Sequence, residues 1–211
     1  MPSLLWVLAG AAILIVAVWG GVRRQGRTRQ LVLEEVRRRL RGGTIEPLPS
    51  RGPQARGRLG ELEVTVDLHH DARAQESKSW RVMAVGPVHV ADAVEAHVGD
   101  WRGWIDPWMQ KESALSVPAS GGPPFTVHAR QPLTMDHPVI AALRRQGPAL
   151  GSGGLHVQRD FMRAEVRFDP HPENNRSLFG FLDAMAEISS LQPSRSVVDR
   201  RVRVNVARET G

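Results

Sequence analysis

The chain opens on an unbroken apolar run. Pro2–Val22 carries no charged side chain and is dominated by Leu, Ala, Val and Ile. As a helix rising about 1.5 Å per residue it spans about 30 Å, the thickness of a bilayer's hydrocarbon core. Trp6 and Trp19 lie near its two ends, where indole rings favour the headgroup region. No basic side chain precedes the run, whereas Arg23, Arg24, Arg27 and Arg29 follow it closely, the reverse of a cleaved signal peptide. The pattern therefore predicts an uncleaved transmembrane anchor over residues 1–22, with those two tryptophans and four arginines at the membrane interface. The positive-inside rule directs the N-terminus outward and the following domain into the cytoplasm of a bacterial cell, on its inner membrane. Ala17 and Gly21 form a small-xxx-small pair, the spacing that lets two such helices pair in a homo-oligomer.

Beyond Val22 the periodicity changes. Residues 23–43 predict an arginine-rich juxtamembrane helix. Within it Thr28–Arg41 places Leu33, Val36 and Leu40 on one face, with Glu34→Arg38 and Glu35→Arg39 as i,i+4 pairs on the other side. Gly42-Gly43 ends it. Such a helix serves either as a stalk or as a strip lying on anionic headgroups. Pro47, Pro49, Gly52, Pro53 and Gly57 predict a turn-rich linker over 44–58. From 59 to 211 the pattern is that of a folded domain. Leu62, Val64, Val66 and Leu68 alternate with Glu61, Glu63, Thr65 and Asp67, a half-buried strand. Trp80–Val85 and Phe125–Ala129 read as strands, and Val88–Val90 as a continuation after Gly86-Pro87. Pro138–Gln146 reads as a helix capped by Asp136 and stopped by Gly147-Pro148. Leu155–Gln158 and Met162–Asp169 form a predicted hairpin, Ser177–Leu191 a long amphipathic helix, and Val197–Val206 a last strand.

Strands dominate, and the helices come late without β-α-β alternation. The predicted fold is α+β: an N-terminal transmembrane helix, then a mostly antiparallel sheet with two helices packed on one face. The order of strand GPPFTVHA, helix DHPVIAALRRQG, hairpin GLHVQRDFMRAEVRF and helix NNRSLFGFLDAMAEISSL resembles that of uncharacterised bacterial membrane-anchored proteins carrying a domain of unknown function. The resemblance covers roughly residues 56–191, rests on pattern alone and implies no site residues.

Charge sharpens this picture. The net charge is +6, and residues 23–41 account for all of it, with eight arginines against Glu34 and Glu35. The domain that follows is formally neutral, which removes the usual basis for nucleic acid binding. Cysteine is absent, so disulfides, thiolate metal sites and a cysteine nucleophile are excluded. No phosphate-binding glycine motif or nucleophile elbow occurs. Gly151-Ser152-Gly153-Gly154 reads as a flexible loop. His69-His70-Asp71 is the one local cluster with metal-ligand chemistry, to which His89, His97 or His128 could add a ligand. Adjacent strand residues point to opposite faces, however, so a metal-dependent hydrolase is only an alternative. No catalytic residue, cofactor or metal is assigned.

The most distinctive stretch is Asp100–Met109, where Trp101, Trp104 and Trp108 fall at i, i+3 and i+7 beside Arg102. Trp and Arg are enriched at interface hot spots, which makes these four the candidate partner-binding residues. A mini-core beneath a loop is the plainer alternative. The sequence thus predicts a non-enzymatic adaptor or accessory subunit with membrane lipid and protein as partners, or else a sensor of anionic membrane surfaces.

Overall fold

The computed structural model describes residues 2–49, 52–70, 78–90, 92–101, 114–118 and 121–191, with the backbone alone for residues 2–13, 15 and 70. The predicted strand over 197–206 lies outside the described residues. One helix, α1, runs from Pro2 to Arg39. Among the described residues nine strands follow: β1 (Arg41–Glu46), β2 (Gln54–Leu59), β3 (Leu62–His70), β4 (Lys78–Val85), β5 (Val94–Val98), β6 (Ala114–Val117), β7 (Phe125–Ala129), β8 (Gly153–Gln158) and β9 (Phe161–Arg167). Helices α2 (Pro138–Gln146) and α3 (Arg176–Ser189) are inserted after β7 and β9. The strands form one sheet in the order β1-β2-β3-β4-β9-β8-β5-β7-β6, with antiparallel pairing throughout.

The α+β reading with an antiparallel sheet holds, and the helices do lie on one face. The alternating residues Leu62, Val64, Val66, Trp80, Val82, Ala84, Met162, Ala164 and Val166 are all buried, as are Leu178, Phe181, Leu182, Met185 and Ile188 of α3. A period of two meets a period of 3.6 across one apolar layer. Trp80 sits in it with its indole N–H donating to Asn175 Oδ1 at 2.7 Å. Asn175 also accepts from the Asp169 amide and donates to the Asp169 and His171 carbonyls, so the turn entering α3 is tied to β4.

The helical layer has a third member. The stripe Val32, Leu33 and Val36 of α1, continued by Leu40 just beyond its end, is buried where α1 packs against β1, β2 and β3. Thr28 donates to the Pro170 carbonyl, Arg24 contacts His171, and Arg39 lies over Phe179 of α3. The C-terminal half of α1 is therefore part of the core, not a stalk standing clear of it. Its predicted ion pairs are present: Glu34–Arg38 at 4.0 Å and Glu35–Arg39 at 3.6 Å, joined by Glu34–Arg37 at 2.6 Å.

The linker expected over 44–58 is instead most of two strands. β1 and β2 carry only one fully buried apolar side chain, Ala55, and so lack the alternation that marks a strand. Gly57 is needed there, because a Cβ would lie 2.8 Å from that of Leu40 as α1 turns into β1. Three smaller expectations change too. Val88–Val90 is not a strand; Val88 is buried and its amide is held by the Arg159 carbonyl at 2.8 Å. Helix α2 is capped not by Asp136 but by His137, whose Nδ1 accepts from the Val139 amide at 3.3 Å. Gly153 and Gly154 open β8 instead of forming a loop. Phe181 closes on the first from the helical side and Trp101 on the second from the other, so that a Cβ would lie 2.7 Å and 2.6 Å from those rings.

Among the described residues no helix is long and apolar enough to cross a membrane. Most side chains of the predicted anchor, including Trp6, lie outside that description.

Candidate functional site

The face of the sheet opposite the helices carries the chemistry. Its rows follow from register. Arg163 of β9 pairs with His156 of β8, His156 with Glu95 of β5, and Glu95 with His128 of β7. In the next row Arg81 pairs with Glu165, Glu165 with Gly154, Gly154 with His97, and His97 with Thr126. Strand alternation places all of these side chains on one face.

Several are sequestered. Glu95 is 1% exposed and His97 9%. A carboxylate taken out of water is costly unless neighbours satisfy it. Here His97 Nε2 lies 2.7 Å from Glu95 Oε1. A carboxylate only accepts, so Nε2 carries the proton and donates. His156 Nδ1 lies 3.9 Å from the other carboxylate oxygen. His97 and His128 face each other across the strand pair, their ring centroids 5.4 Å apart. Burial, and then the electrostatic influence of the neighbouring His97, hold the His128 imidazole below its ordinary pKa, while Glu95 opposes this. Beside this cluster Arg163 pairs with Glu165, and Arg81 forms a two-bond pair with Asp67 at 3.0 and 2.6 Å.

A cleft of about 450 Å³ opens at the β5–β7–β6 end of this face. His97, His128 and Thr126 line its sheet side, and Trp101, Pro118 and Pro124 border it, while Phe125 alternates onto the helical face and is buried in the core. Trp101 follows β5 in a tight turn, its amide donating to the Val98 carbonyl at 3.4 Å. Its indole lies over Gly154, and the indole N–H is buried without a hydrogen-bond partner among the described residues. Among the described residues the cleft is bordered by two imidazoles and the Thr126 hydroxyl, and Glu95 is turned inward and engaged by His97.

The residues singled out in the sequence fall in different places. Trp101 is partly buried on the sheet; Arg102, Trp104 and Trp108 lie outside the described residues. His69 is on β3, four strand positions from β5, or about 19 Å at the usual strand spacing. It is therefore not brought together with His97 or His128. The His70 side chain and Asp71 lie outside the described residues, and His89 is exposed in the loop after β4. Among the described residues no group of three or more acidic or histidine side chains is placed to hold a metal. Trp19 is exposed, with the Arg23 guanidinium 3.7 Å over its ring. Arg23, Arg24 and Arg27 are exposed, whereas Arg29 turns onto the body and donates to the Pro53 carbonyl at 2.8 Å. Glu95 and His156 were given no role in the sequence, and Arg163 and Glu165 were read only as the polar face of the predicted hairpin strand. The signal that could have found them is the V-E-A-H-V run of β5, whose alternation is that of a strand with a polar face.

No known protein family matches the chain, and no curated protein matches it. Among solved structures it is similar to the mycobacterial trehalose monomycolate transport factor A, TtfA, at 10% identity and a TM-score of 0.42, over 81% of this chain and 99% of that one. At that level the likeness carries no argument about fold or function.

Proposed function

We propose that this chain is a membrane-anchored, non-enzymatic accessory domain: residues 2–22 sit in the bilayer, the N-terminus lies outside, and the α+β body lies on the cytoplasmic side as an adaptor in a membrane-associated protein assembly. The observation that carries the reading is a run of exposed apolar side chains on a helix that continues into the core. Leu14, Val16, Val18, Trp19 and Val22 are 57–70% exposed, where a water-facing helix would carry polar residues. Arg23, Arg24 and Arg27 follow immediately, at the level where cationic side chains meet phosphate headgroups.

The test is fractionation of the full chain beside a version lacking residues 1–22. The full chain is expected to remain with membranes through alkaline extraction and the shortened one to be released. Release of both overturns the anchor. Protease added to intact spheroplasts should spare the body; its digestion overturns the cytoplasmic placement. The adaptor reading expects reproducible co-purifying proteins in mild detergent, lost in Trp104→Ala/Trp108→Ala while the melting temperature holds. A wild-type chain that recovers nothing reproducible overturns it.

A further inference from the structure

We infer that the body stands on the bilayer by one edge, the turn over residues 169–175 together with the start of β4, and that anionic phospholipid headgroups are its partner there. This rests on the anchored reading of residues 2–22 and adds to it which edge of the body meets the membrane.

Contacts along α1 set the level of that edge. Thr28 donates to the Pro170 carbonyl at 2.6 Å, and Arg24, one helical turn nearer the apolar segment, contacts His171. The chain is thus heading toward the bilayer as it leaves Pro170. Gln25 accepts from Lys78, the first residue of β4. Counted from Val22 along an upright helix, Arg24 stands about 3 Å and Thr28 about 9 Å above the hydrocarbon. The headgroup layer of one leaflet is about 5–7 Å deep. Pro172, Glu173 and Asn174 are exposed just beyond His171, at the height of that layer.

The same helix gives the sheet its heading. Arg29 donates to the carbonyl of Pro53, just before β2, and Leu40 closes on Gly57 in the middle of that strand. β2 therefore climbs with α1. Helix α3 climbs from Asn175 until Ser189 comes beside Gly60, where a Cβ would lie 3.7 Å from its Oγ. The turn at Arg159 and Asp160 is at the far end too, about 20 Å up β9 at the usual rise per residue. Charge fits the lower edge to its partner. Among the described residues Arg23, Arg24, Arg27 and Lys78 stand at this level. Against them are Glu173 and Asp169, and the Asp169 carboxylate accepts from the His171 amide at 2.7 Å. A surplus of cations in the headgroup layer gathers anionic lipid.

The chain has no cysteine, so single fluorophores can be placed on Val18→Cys, Asn174→Cys and Asp160→Cys, all exposed positions. The full chain is put into mixed vesicles of phosphatidylcholine and phosphatidylglycerol, a small fraction of one lipid bearing a nitroxide quencher high on an acyl chain. Labels at 18 and 174 are expected to be quenched and the label at 160 to stay bright. Labelled phosphatidylglycerol should quench position 174 about twofold more than labelled phosphatidylcholine. Arg27→Ser with Lys78→Ser should erase that difference while the melting temperature holds. If position 18 is quenched and 174 is as bright as 160, the anchor stands and the edge is overturned. A bright label at 18 overturns the anchor and the edge with it. Equal quenching of 174 by the two lipids in the unaltered edge overturns the anionic headgroup as partner.

Discussion

Two shortened versions of the chain, one beginning at residue 23 and one at residue 43, should behave very differently. Both lack the apolar segment, and by the sequence pattern both keep the whole soluble domain. The second, however, loses Val32, Leu33, Val36 and Leu40, each 0–3% exposed in the intact fold. Burying one such side chain contributes about 1.5–3 kcal/mol, so four contribute roughly 6–12 kcal/mol. The whole stability of a domain is about 5–15 kcal/mol. Removing the stripe also bares Ala55, Val64 and Val66 on β2 and β3. The fragment from 43 should therefore be unfolded or aggregated at room temperature, while the fragment from 23 melts cooperatively. The assay is thermal and urea unfolding followed by circular dichroism. A milder probe in the longer fragment is Leu33→Ala, which should cost about 2–5 kcal/mol as a core truncation. If the fragment from 43 melts within a few degrees of the longer one, α1 is not part of the core.

Further expectations follow from single contacts. Gly154→Ala puts a Cβ 2.6 Å from the Trp101 indole; overpacking of this kind costs about 1–3 kcal/mol, and an unchanged melting temperature would show that Trp101 does not rest there. Asn175→Ala leaves the buried Trp80 N–H and the Asp169 amide without their acceptor, an expected loss of about 2–4 kcal/mol readable by urea unfolding. His128 and His137 are both held below the ordinary value of 6.5, chiefly by burial. The unfolded chain then takes up protons first, so stability is complete above about pH 6.5 and falls as the pH drops through it. His137→Asn keeps an acceptor for the Val139 amide and should flatten that slope; a melting temperature already level from pH 7.5 to pH 5.5 in the wild type would refute the assignment.

The helical layer was largely legible. The stripe of α3 and the alternation of β3, β4 and β9 are buried on one face only, so their periods survive in the sequence. β5 is different. All five of its residues are buried, two of them polar, and Glu95 and His97 look like solvent-facing residues until β7 and β8 flank them. His97 and His128 stood out only as possible ligands for a distant cluster, and their grouping with Glu95 and His156 was not legible, since these residues come from three strands between residues 95 and 156. The Leu33–Val36–Leu40 stripe was read correctly as an apolar face, but nothing local says whether such a face meets lipid or a sheet. The tryptophan spacing suggested a helical face, whereas Trp101 owes its position to the absence of a side chain at Gly154, more than fifty residues away.

The continuity of α1 has a mechanical side. The exposed segment Leu14–Val22 and the buried residues Val32, Leu33 and Val36 belong to one helix, and the described residues offer no turn between them. Each residue advances a helix by about 100°. Whatever grips the first half, bilayer or partner helix, therefore sets the heading of the sheet and the direction in which its polar face looks. An insertion of one residue near Gly26, where the helix has just met the body, would swing that face by about a quarter turn without altering a single contact within it.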